Sequence, residues 1–221
     1  MGVVGRLRDW SMRLAFNGRF RTGPRQPWRK CRTWQYDSRL EVARIFHIAI
    51  RFGAVVPVLG RDTYLGGKGR MLIRAFDLFT IEDGSGKEYD LGELVTYLND
   101  MVLFAPSMLL EPDVGFTGVD GDSFDVTLVN RGNRVTARVT LAADGSPRDF
   151  ATTDRFCLDP NDRKRLVRTK WTTPVAGWTT IGGRRLPAGG EAVWHLPQGE
   201  SPYARFELIP ESVAFNVAPG E

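Results

Sequence analysis

One long helical segment, Leu91 to Leu110, lies between stretches of sequence that have the pattern of β-strands. Its apolar residues recur at helical spacing; they are Leu91, Leu94, Val95, Leu98, Val102 and Ala105. Asp90 precedes this run and Glu93 follows three residues later, a capping-box pattern that predicts a helix start at Asp90. A single helix among strands has to pack its apolar face against the sheet.

The second half of this helix is apolar on two faces. Leu103 and Phe104 lie opposite the main apolar stripe, which predicts buried surface on both sides. A helix in the hollow of a curved sheet would have such surroundings. The pattern therefore predicts an apolar cavity between the helix and the sheet.

From residue 34 onward the dominant period is two, which is typical of β-strands. Turn signals such as DGDS, NRGN and DGSP separate the later strand candidates. The regular alternation of strand and helix that a parallel α/β fold needs is absent. We therefore predict a mainly β (α+β) fold, in which a highly curved antiparallel sheet of roughly ten strands forms a half-barrel with a helix packed in its concave face.

Positive charge is concentrated at the N-terminus. Residues 1–32 contain nine Arg or Lys and one acidic residue, a net charge of +8, whereas the rest of the chain contains 21 basic and 25 acidic residues. The sequence therefore predicts two parts, a basic N-terminal segment over residues 1–32 and a single curved-sheet domain over residues 33–221.

Within the basic segment, apolar residues at helical spacing predict a short amphipathic helix; they are Val3, Leu7, Trp10 and Leu14. Two interpretations remain open, peripheral contact with a membrane through residues 3–16 or docking of the helix on its own domain. The interleaved aromatic residues are too few for a nucleic-acid platform, so no nucleic acid is expected as a partner.

The sequence also predicts where the protein resides. No run of about 18 apolar residues and no signal peptide is found, and Cys31 and Cys157 have no disulfide-scaffold or metal-site spacing. We therefore expect a cytoplasmic protein, with a peripheral position at the membrane surface as the open alternative.

Motifs that identify common catalytic or metal sites are absent from the sequence. It contains no G-x-S-x-G elbow, H-E-x-x-H pair, EF-hand loop or C-x-x-C pair. The glycine cluster at residues 66–69 precedes a strand pattern and lacks the Ser or Thr of a phosphate loop, so it predicts a turn. We expect no metal and no cofactor.

Asp100, Tyr64 and His47 are the best candidates for a catalytic acid or base. Asp100 lies on the helix face opposite the main apolar stripe, where it would contact a ligand head group or anchor the helix to an arginine. The arginines considered for this pairing are Arg44, Arg51 and Arg74. A strand histidine such as His47 is more often structural than catalytic.

Aromatic side chains with polar tips suit a mostly apolar ligand pocket. Together with polar residues of the helix, they give the predicted ligand-binding set: Tyr64, Tyr97, Asn99, Asp100, Phe104, Trp171 and Trp194. The favoured function is binding of a lipid or other apolar small molecule in the cavity. The alternative is an enzyme of isomerase or cyclase type that performs acid/base chemistry on such a molecule.

Several segments together resemble an uncharacterised bacterial family of unknown function over about residues 34 to 216. They are RDTYLGGKGRM, LGELVTYLNDMVLFAPSMLL, DFATTDR, KWTTP, GGRRLPAGGEAVWHL and a final Phe215-Asn216. The matching positions are Tyr64, Gly67, Gly69, Asn99, Pro106, Asp154, Arg155, Trp171, Pro174, Pro187, Trp194 and Asn216. The resemblance implies the half-barrel of periplasmic lipoprotein carriers of the LolA and LppX kind, with helices filling the concave face. It implies no catalytic residue, and the missing export signal argues against a periplasmic shuttle.

Overall fold

The computed structural model describes residues 8–219, except 53–55, 160–161 and 163–164. Within these residues, six consecutive antiparallel strands form the first arm of one large sheet. They are β1 (Ser11–Phe20), β2 (Arg29–Ser38), β3 (Ala43–Phe52), β4 (Val56–Leu65), β5 (Lys68–Ala75) and β6 (Phe79–Ser85). The helix α1 (Lys87–Phe104) and a 3-10 turn (Pro106–Leu109) then lead into the second arm.

The second arm continues the same sheet from the other edge of β1, in the order β17, β16, β13, β10, β9, β8 and β7. Its strands are β7 (Val114–Gly118), β8 (Ser123–Asn130), β9 (Asn133–Leu141), β10 (Pro147–Thr152), β13 (Trp171–Thr172), β16 (Gly189–Leu196) and β17 (Gly199–Leu208). Five shorter strands complete the described chain: β11 (Phe156–Leu158), β12 (Leu166–Arg168), β14 (Trp178–Ile181), β15 (Arg184–Pro187) and β18 (Ala214–Phe215).

The sheet curls around the helix. Helix α1 contacts β3 to β6 of the first arm and also β9 and β10 of the second. The two arms meet at one end, where Asn133 Nδ2 donates a hydrogen bond of 2.8 Å to the carbonyl oxygen of Gly67. The predicted antiparallel half-barrel with a helix in its concave face is therefore confirmed, with thirteen strands in the main path. The sequence count was lower in part because the ten-residue strand β1 was predicted as a helix.

Helix α1 begins at Lys87, three residues before the predicted start, and Gly86 is its N-cap. The predicted capping box is wrong. Asp90 Oδ1 instead accepts a hydrogen bond of 2.8 Å from the amide of Gly69, and Glu93 pairs with Arg44. Both carboxylates face the sheet, so tertiary partners replace the local cap.

The helix predicted over residues 3–16 is wrong for residues 11–16, which belong to strand β1; residues 1–7 lie outside the described part of the chain. Met12 and Leu14 are fully buried in the core, so they cannot reach a bilayer as the membrane interpretation required. The boundary expected between residues 32 and 33 falls inside β2. The physical reason is that pairing with β2 and β17 satisfies the backbone of β1 on both edges.

No helix within the described residues is long and apolar enough to cross a lipid bilayer. The cytoplasmic location stays a prediction.

The docking of α1 on β5 can be tested at Gly69. A Cβ atom there would collide with the backbone of Tyr89 and lie 2.8 Å from the amide nitrogen of Asp90. We expect Gly69→Ala to lower the free energy of unfolding by about 1 to 3 kcal/mol, measured by chemical denaturation. The matched control is Gly115→Ala on β7, where a Cβ meets open space; equal stability of the two variants would contradict this packing.

Candidate functional site

A cavity of about 1550 Å³ lies between α1 and the concave face of the sheet. Ligand pockets usually measure about 300 to 1,000 Å³, so this cavity can hold a molecule larger than a typical metabolite. Its apolar wall consists of alternate, inward-facing residues of β3, β4 and β5. They are Phe46, Ile48, Ile50, Val58, Met71 and Ile73.

Helix α1 divides the hollow into a filled half and an open half. On one side of the helix, apolar residues belong to the same buried core as residues of β8, β9 and β10. The helix residues include Leu94, Val95, Leu98 and Met101, and the strand residues include Val126, Val135 and Phe150. The other side of the helix lines the cavity with Gly92, Glu93, Thr96, Asn99, Asp100, Leu103 and Phe104. The helix is therefore buried on two sides, but only one side is close-packed.

Aromatic residues of the second arm form another part of the cavity wall. The Trp194 and Tyr203 rings stack with centroids 5.8 Å apart, and Trp171 Nε1 donates a hydrogen bond of 3.1 Å to the Tyr203 hydroxyl. The Arg155 guanidinium lies 4.2 Å from the centroid of the Trp171 ring. This wall combines large apolar faces with a positive charge held by cation–π contact.

A buried cluster of charges forms the polar part of the wall. Arg44 Nε lies 2.8 Å from Asp100 Oδ2, and Arg44 Nη1 lies 3.2 Å from Glu93 Oε2. A third carboxylate, that of Asp37 on the neighbouring strand, is 3.9 Å from Arg44 Nε. Asp62, on the cavity face of β4, has no ion-paired or hydrogen-bonded side-chain partner among the described residues.

The cluster contains more carboxylates than guanidinium groups, so some of its carboxyl groups keep their protons. Burial, followed by repulsion from Asp62, raises the pKa of Glu93 to about 8. Burial likewise raises the pKa of Asp100 despite the nearby Arg44, and burial raises the pKa of Asp62. Burial and the negative charge of Asp100 raise the pKa of Asp37. Part of the cluster is therefore neutral near pH 7 and can donate hydrogen bonds.

Five of the predicted ligand-binding residues lie in the cavity wall: Asn99, Asp100, Phe104, Trp171 and Trp194. The Asn99 side-chain oxygen accepts a hydrogen bond of 2.5 Å from the Thr173 hydroxyl, which fixes its position in the wall. The Phe104 ring packs edge-on against Phe16 with centroids 5.6 Å apart. Asp100 pairs with Arg44, one of the three arginines proposed for it from the sequence.

Tyr64 and Tyr97 do not line the cavity. The Tyr64 hydroxyl donates to Asn130 Oδ1 at 2.9 Å and accepts from Asn133 Nδ2 at 3.1 Å, so it joins the two arms. The Tyr97 hydroxyl donates to the carbonyl oxygen of Ser38 at 2.9 Å. Both side chains are fully buried, and their polar tips serve the fold instead of a ligand.

His47 lies on the convex face of the sheet, away from the cavity. Its neighbours Phe46 and Ile48 line the cavity, and successive strand residues point to opposite faces. The His47 ring packs against Trp34 with centroids 5.5 Å apart. Partial burial and the charge of Arg61 lower its pKa. His47 therefore has no access to a ligand in the cavity.

Sequence reasoning missed Glu93, Asp62 and Arg155 as residues of the cavity wall, and considered Arg44 only as a partner for Asp100. A signal for Arg44 is present, because it shares the inward face of β3 with Phe46 and Ile48. A charged residue in phase with an apolar strand face is costly unless it is paired. Asp62 has the same signal on β4, where it is in phase with Val58.

The cavity opens where its lining residues are exposed. At one end of the half-barrel these residues lie on the β1–β2 loop, on β6, on β11 and at the turn between β16 and β17: Thr22, Pro24, Arg25, Gln26, Ile81, Leu158 and Gln198. Phe52 and Val56, at the facing ends of β3 and β4, also line the cavity. A ligand can therefore enter the cavity at the end of the first arm where Phe52 and Val56 lie.

Comparison with known proteins gives a family but no function. The model of a family of unknown function, DUF6544, matches residues 1–206, and no curated protein matches the chain. Similar solved structures include a LolA superfamily protein from Nitrosomonas europaea, 12% identical, with 97% of this chain and 90% of that chain covered and a TM-score of 0.49. A DUF1329 family protein from Desulfovibrio piger is also 12% identical, with 97% and 88% covered and a TM-score of 0.48.

The carboxylate cluster predicts a pH-dependent stability. The pKa of Glu93 is about 8 in the folded protein against an ordinary 4.5, so the folded state binds more protons than the unfolded state between these values. The free energy of unfolding should therefore fall as pH rises from 5 to 8, by about 1.4 kcal/mol per pH unit for each excess proton. Denaturant titrations at fixed ionic strength should show a smaller fall for Glu93→Gln.

The matched control for this prediction is Glu207→Gln, an exposed glutamate on β17. It should keep the pH dependence of the unaltered protein. Identical slopes for all three proteins would show that Glu93 does not retain its proton in the folded state.

Proposed function

We propose that this chain, which belongs to the DUF6544 family of unknown function, binds a lipid or other amphiphile in the cavity between α1 and the sheet. The observation that carries the proposal is the cavity itself, about 1550 Å³ with an apolar wall from three neighbouring strands. A ligand that covers such a wall gains about 25 cal/mol for each Å² of apolar surface removed from water. An aliphatic chain supplies that surface without requiring polar partners along the strands.

The polar cluster gives the ligand a preferred direction. Arg44 lies at the start of β3, and Phe52 lies at its end beside the opening. The two residues are eight positions apart along the strand, about 26 Å at 3.3 Å per residue. The polar end of an amphiphile therefore fits near Arg44, Glu93 and Asp100, while its apolar chain extends along β3 to β5 toward the opening.

The enzyme alternative now depends on different residues. Asp100 lines the cavity but is paired with Arg44, and Tyr64 and His47 do not line it, so the geometry favours none of the three as a catalytic group. Asp62 is a cavity carboxyl without an ion-paired or hydrogen-bonded side-chain partner among the described residues, and burial raises its pKa. A raised pKa suits an acid or base, but binding needs none, so we favour binding.

A cavity-filling substitution tests the proposal. Gly92 lies on the cavity side of α1, and a Cβ atom there meets no other atom within 4 Å. Gly92→Trp should therefore project its indole into the cavity without a clash. We expect native mass spectrometry to show a lipid co-purifying with the unaltered protein and little or none with this variant. Binding of the fluorescent probe N-phenyl-1-naphthylamine should weaken by at least about tenfold.

Two controls separate filling of the cavity from loss of the fold. Gly92→Ala adds one methyl group, so it should retain probe binding and should stabilise the helix by up to about 1 kcal/mol. Gly118→Trp adds the same indole on β7, where a Cβ also meets open space. Undiminished lipid and probe binding by a folded Gly92→Trp protein would overturn the proposed site.

The two cysteines supply an independent measurement. Cys157 lines the cavity and is half-buried, whereas Cys31 is buried, and its burial raises the pKa of its thiol to about 11. Bound N-phenyl-1-naphthylamine should therefore slow alkylation of Cys157 by iodoacetamide, while Cys31 stays unreactive in both states. An alkylation rate of Cys157 that is independent of saturating probe would place the probe elsewhere.

A further inference from the structure

The turn between β5 and β6 presents large apolar side chains to solvent. Leu78 is 76% exposed, Phe79 is 67% exposed and Phe76 is 46% exposed. Single exposed apolar residues are ordinary on protein surfaces, but three within four positions form a patch of the kind that marks a contact surface. Ile81, 61% exposed on the edge strand β6, extends this patch. We name residues 76–79 the apolar tip.

The backbone of the apolar tip has a conformation that bulky residues avoid. Phe76 and Asp77 both have positive φ, 53° and 55°, and Leu78 N closes the turn with a hydrogen bond of 3.1 Å to the carbonyl oxygen of Ala75. Asn-Gly is the usual sequence for two such positions. A phenylalanine there is unfavourable for folding, which indicates that its exposed ring has another purpose.

The apolar tip borders the opening of the cavity. Ala75 and Ile81, on either side of it in sequence, both line the cavity. The amide of Phe76 donates a hydrogen bond of 2.9 Å to the carbonyl oxygen of Pro57, which holds the tip beside the end of β4. The apolar tip is therefore fixed at the opening.

A basic loop borders the same opening. Residues 19–32 contain six Arg or Lys and no acidic residue, and residues 21–26 line the cavity. None of these six basic side chains forms an ion pair with a carboxylate among the described residues. The Arg29 guanidinium lies 4.3 Å from the centroid of the Phe52 ring, which connects the base of this loop to the end of β3. This basic loop therefore lies at the same end of the sheet as the apolar tip.

We infer that this end of the molecule is a docking surface for an anionic lipid bilayer. The apolar tip enters the interfacial region, and the basic loop binds anionic head groups; stable attachment to a membrane requires two such signals. The opening of the cavity then faces the bilayer, so a lipid passes between membrane and cavity without crossing water. The passage of lipid into the cavity rests on the proposed function, whereas the docking surface rests on the exposed apolar and basic residues alone.

A second copy of the chain is a weaker occupant for this surface. Pairing of two edge strands β6 would cover the apolar tip, but it would also bring two basic loops toward each other. Like charges oppose such an arrangement, whereas an anionic bilayer complements them. The charge of the loop therefore favours the membrane.

Vesicle sedimentation tests the docking surface with the full chain. Unaltered protein should bind vesicles of phosphatidylglycerol and phosphatidylcholine more tightly than vesicles of phosphatidylcholine alone, and the difference should shrink as salt rises. Phe76→Ser/Leu78→Ser/Phe79→Ser should weaken binding to the anionic vesicles by at least about tenfold. Arg25→Gln/Lys30→Gln/Arg32→Gln should remove the preference for anionic vesicles.

The matched control replaces three equally exposed apolar residues at other places on the surface. Leu40→Ser/Leu65→Ser/Phe116→Ser changes side chains that are 77%, 48% and 53% exposed, and it should bind vesicles as the unaltered protein does. Circular dichroism should confirm that all variants are folded. Leu78→Cys in a Cys31→Ser/Cys157→Ser background, labelled with an environment-sensitive dye, should show a blue shift of the dye emission on anionic vesicles. It thus reports contact without altering the rest of the tip.

Three results would overturn the inference: no preference of the unaltered protein for anionic vesicles, full binding by the apolar-tip variant, or no blue shift at position 78. A dimer in light scattering that the apolar-tip variant loses would assign the surface to a second copy instead. Failure of the cavity proposal is distinguishable, because Gly92→Trp should still bind vesicles. The apolar-tip variant, in turn, should still bind N-phenyl-1-naphthylamine in solution.

Discussion

A curled sheet of thirteen strands encloses a hollow that a single helix cannot fill. An α-helix with its side chains is about 10 to 12 Å across, so it cannot close-pack against both arms along its whole length. In this chain the start of α1 docks on β5, and Leu94, Leu98 and Met101 pack in the core on the side of β9 and β10. The remaining width lies between the helix and β3 to β5, and it is the cavity. The site thus follows from the mismatch between one helix and a wide sheet.

The charge cluster sets where the helix lies in this hollow. Arg44 on β3 holds Glu93 and Asp100, which are two turns apart on the cavity side of α1. Buried ion pairs contribute little net stability, but removing one partner leaves an uncompensated charge and is strongly destabilising. The cluster therefore fixes the helix against rotation while leaving carboxyl groups in the wall of the cavity. The same residues tie the helix to the sheet and give the cavity its polar part.

Sequence reasoning located the helix, the antiparallel sheet and the cavity, and it named Arg44 as one of three possible partners of Asp100, because period and charge are local signals. It failed for β1, where the spacing of the apolar residues fits both a helix and a strand. Met12, Leu14 and Phe16 are buried at a spacing of two in β1, but Leu14 also fits the helical series that begins at Val3. It also failed for Tyr64 and Tyr97, because an aromatic side chain with a polar tip fits a ligand pocket and a buried hydrogen bond equally well. The hydrogen-bond partners of the two hydroxyl groups are Asn130, Asn133 and Ser38. They are distant in sequence, so the sequence pattern did not reveal that these tyrosines are buried and hydrogen-bonded.

The basic segment was recognised in the sequence, but its position in the fold was predicted wrongly. Its charge was assigned to a segment, residues 1–32, that precedes the domain, yet residues 19–32 form the facing ends of β1 and β2 and the loop between them. The hairpin of β1 and β2 places the basic residues of 19–32 at the end of the half-barrel where the cavity opens. These basic residues therefore lie at the same end of the sheet as the apolar tip between β5 and β6. The antiparallel meander, which returns every second turn to the same end of the sheet, is what brings the two together.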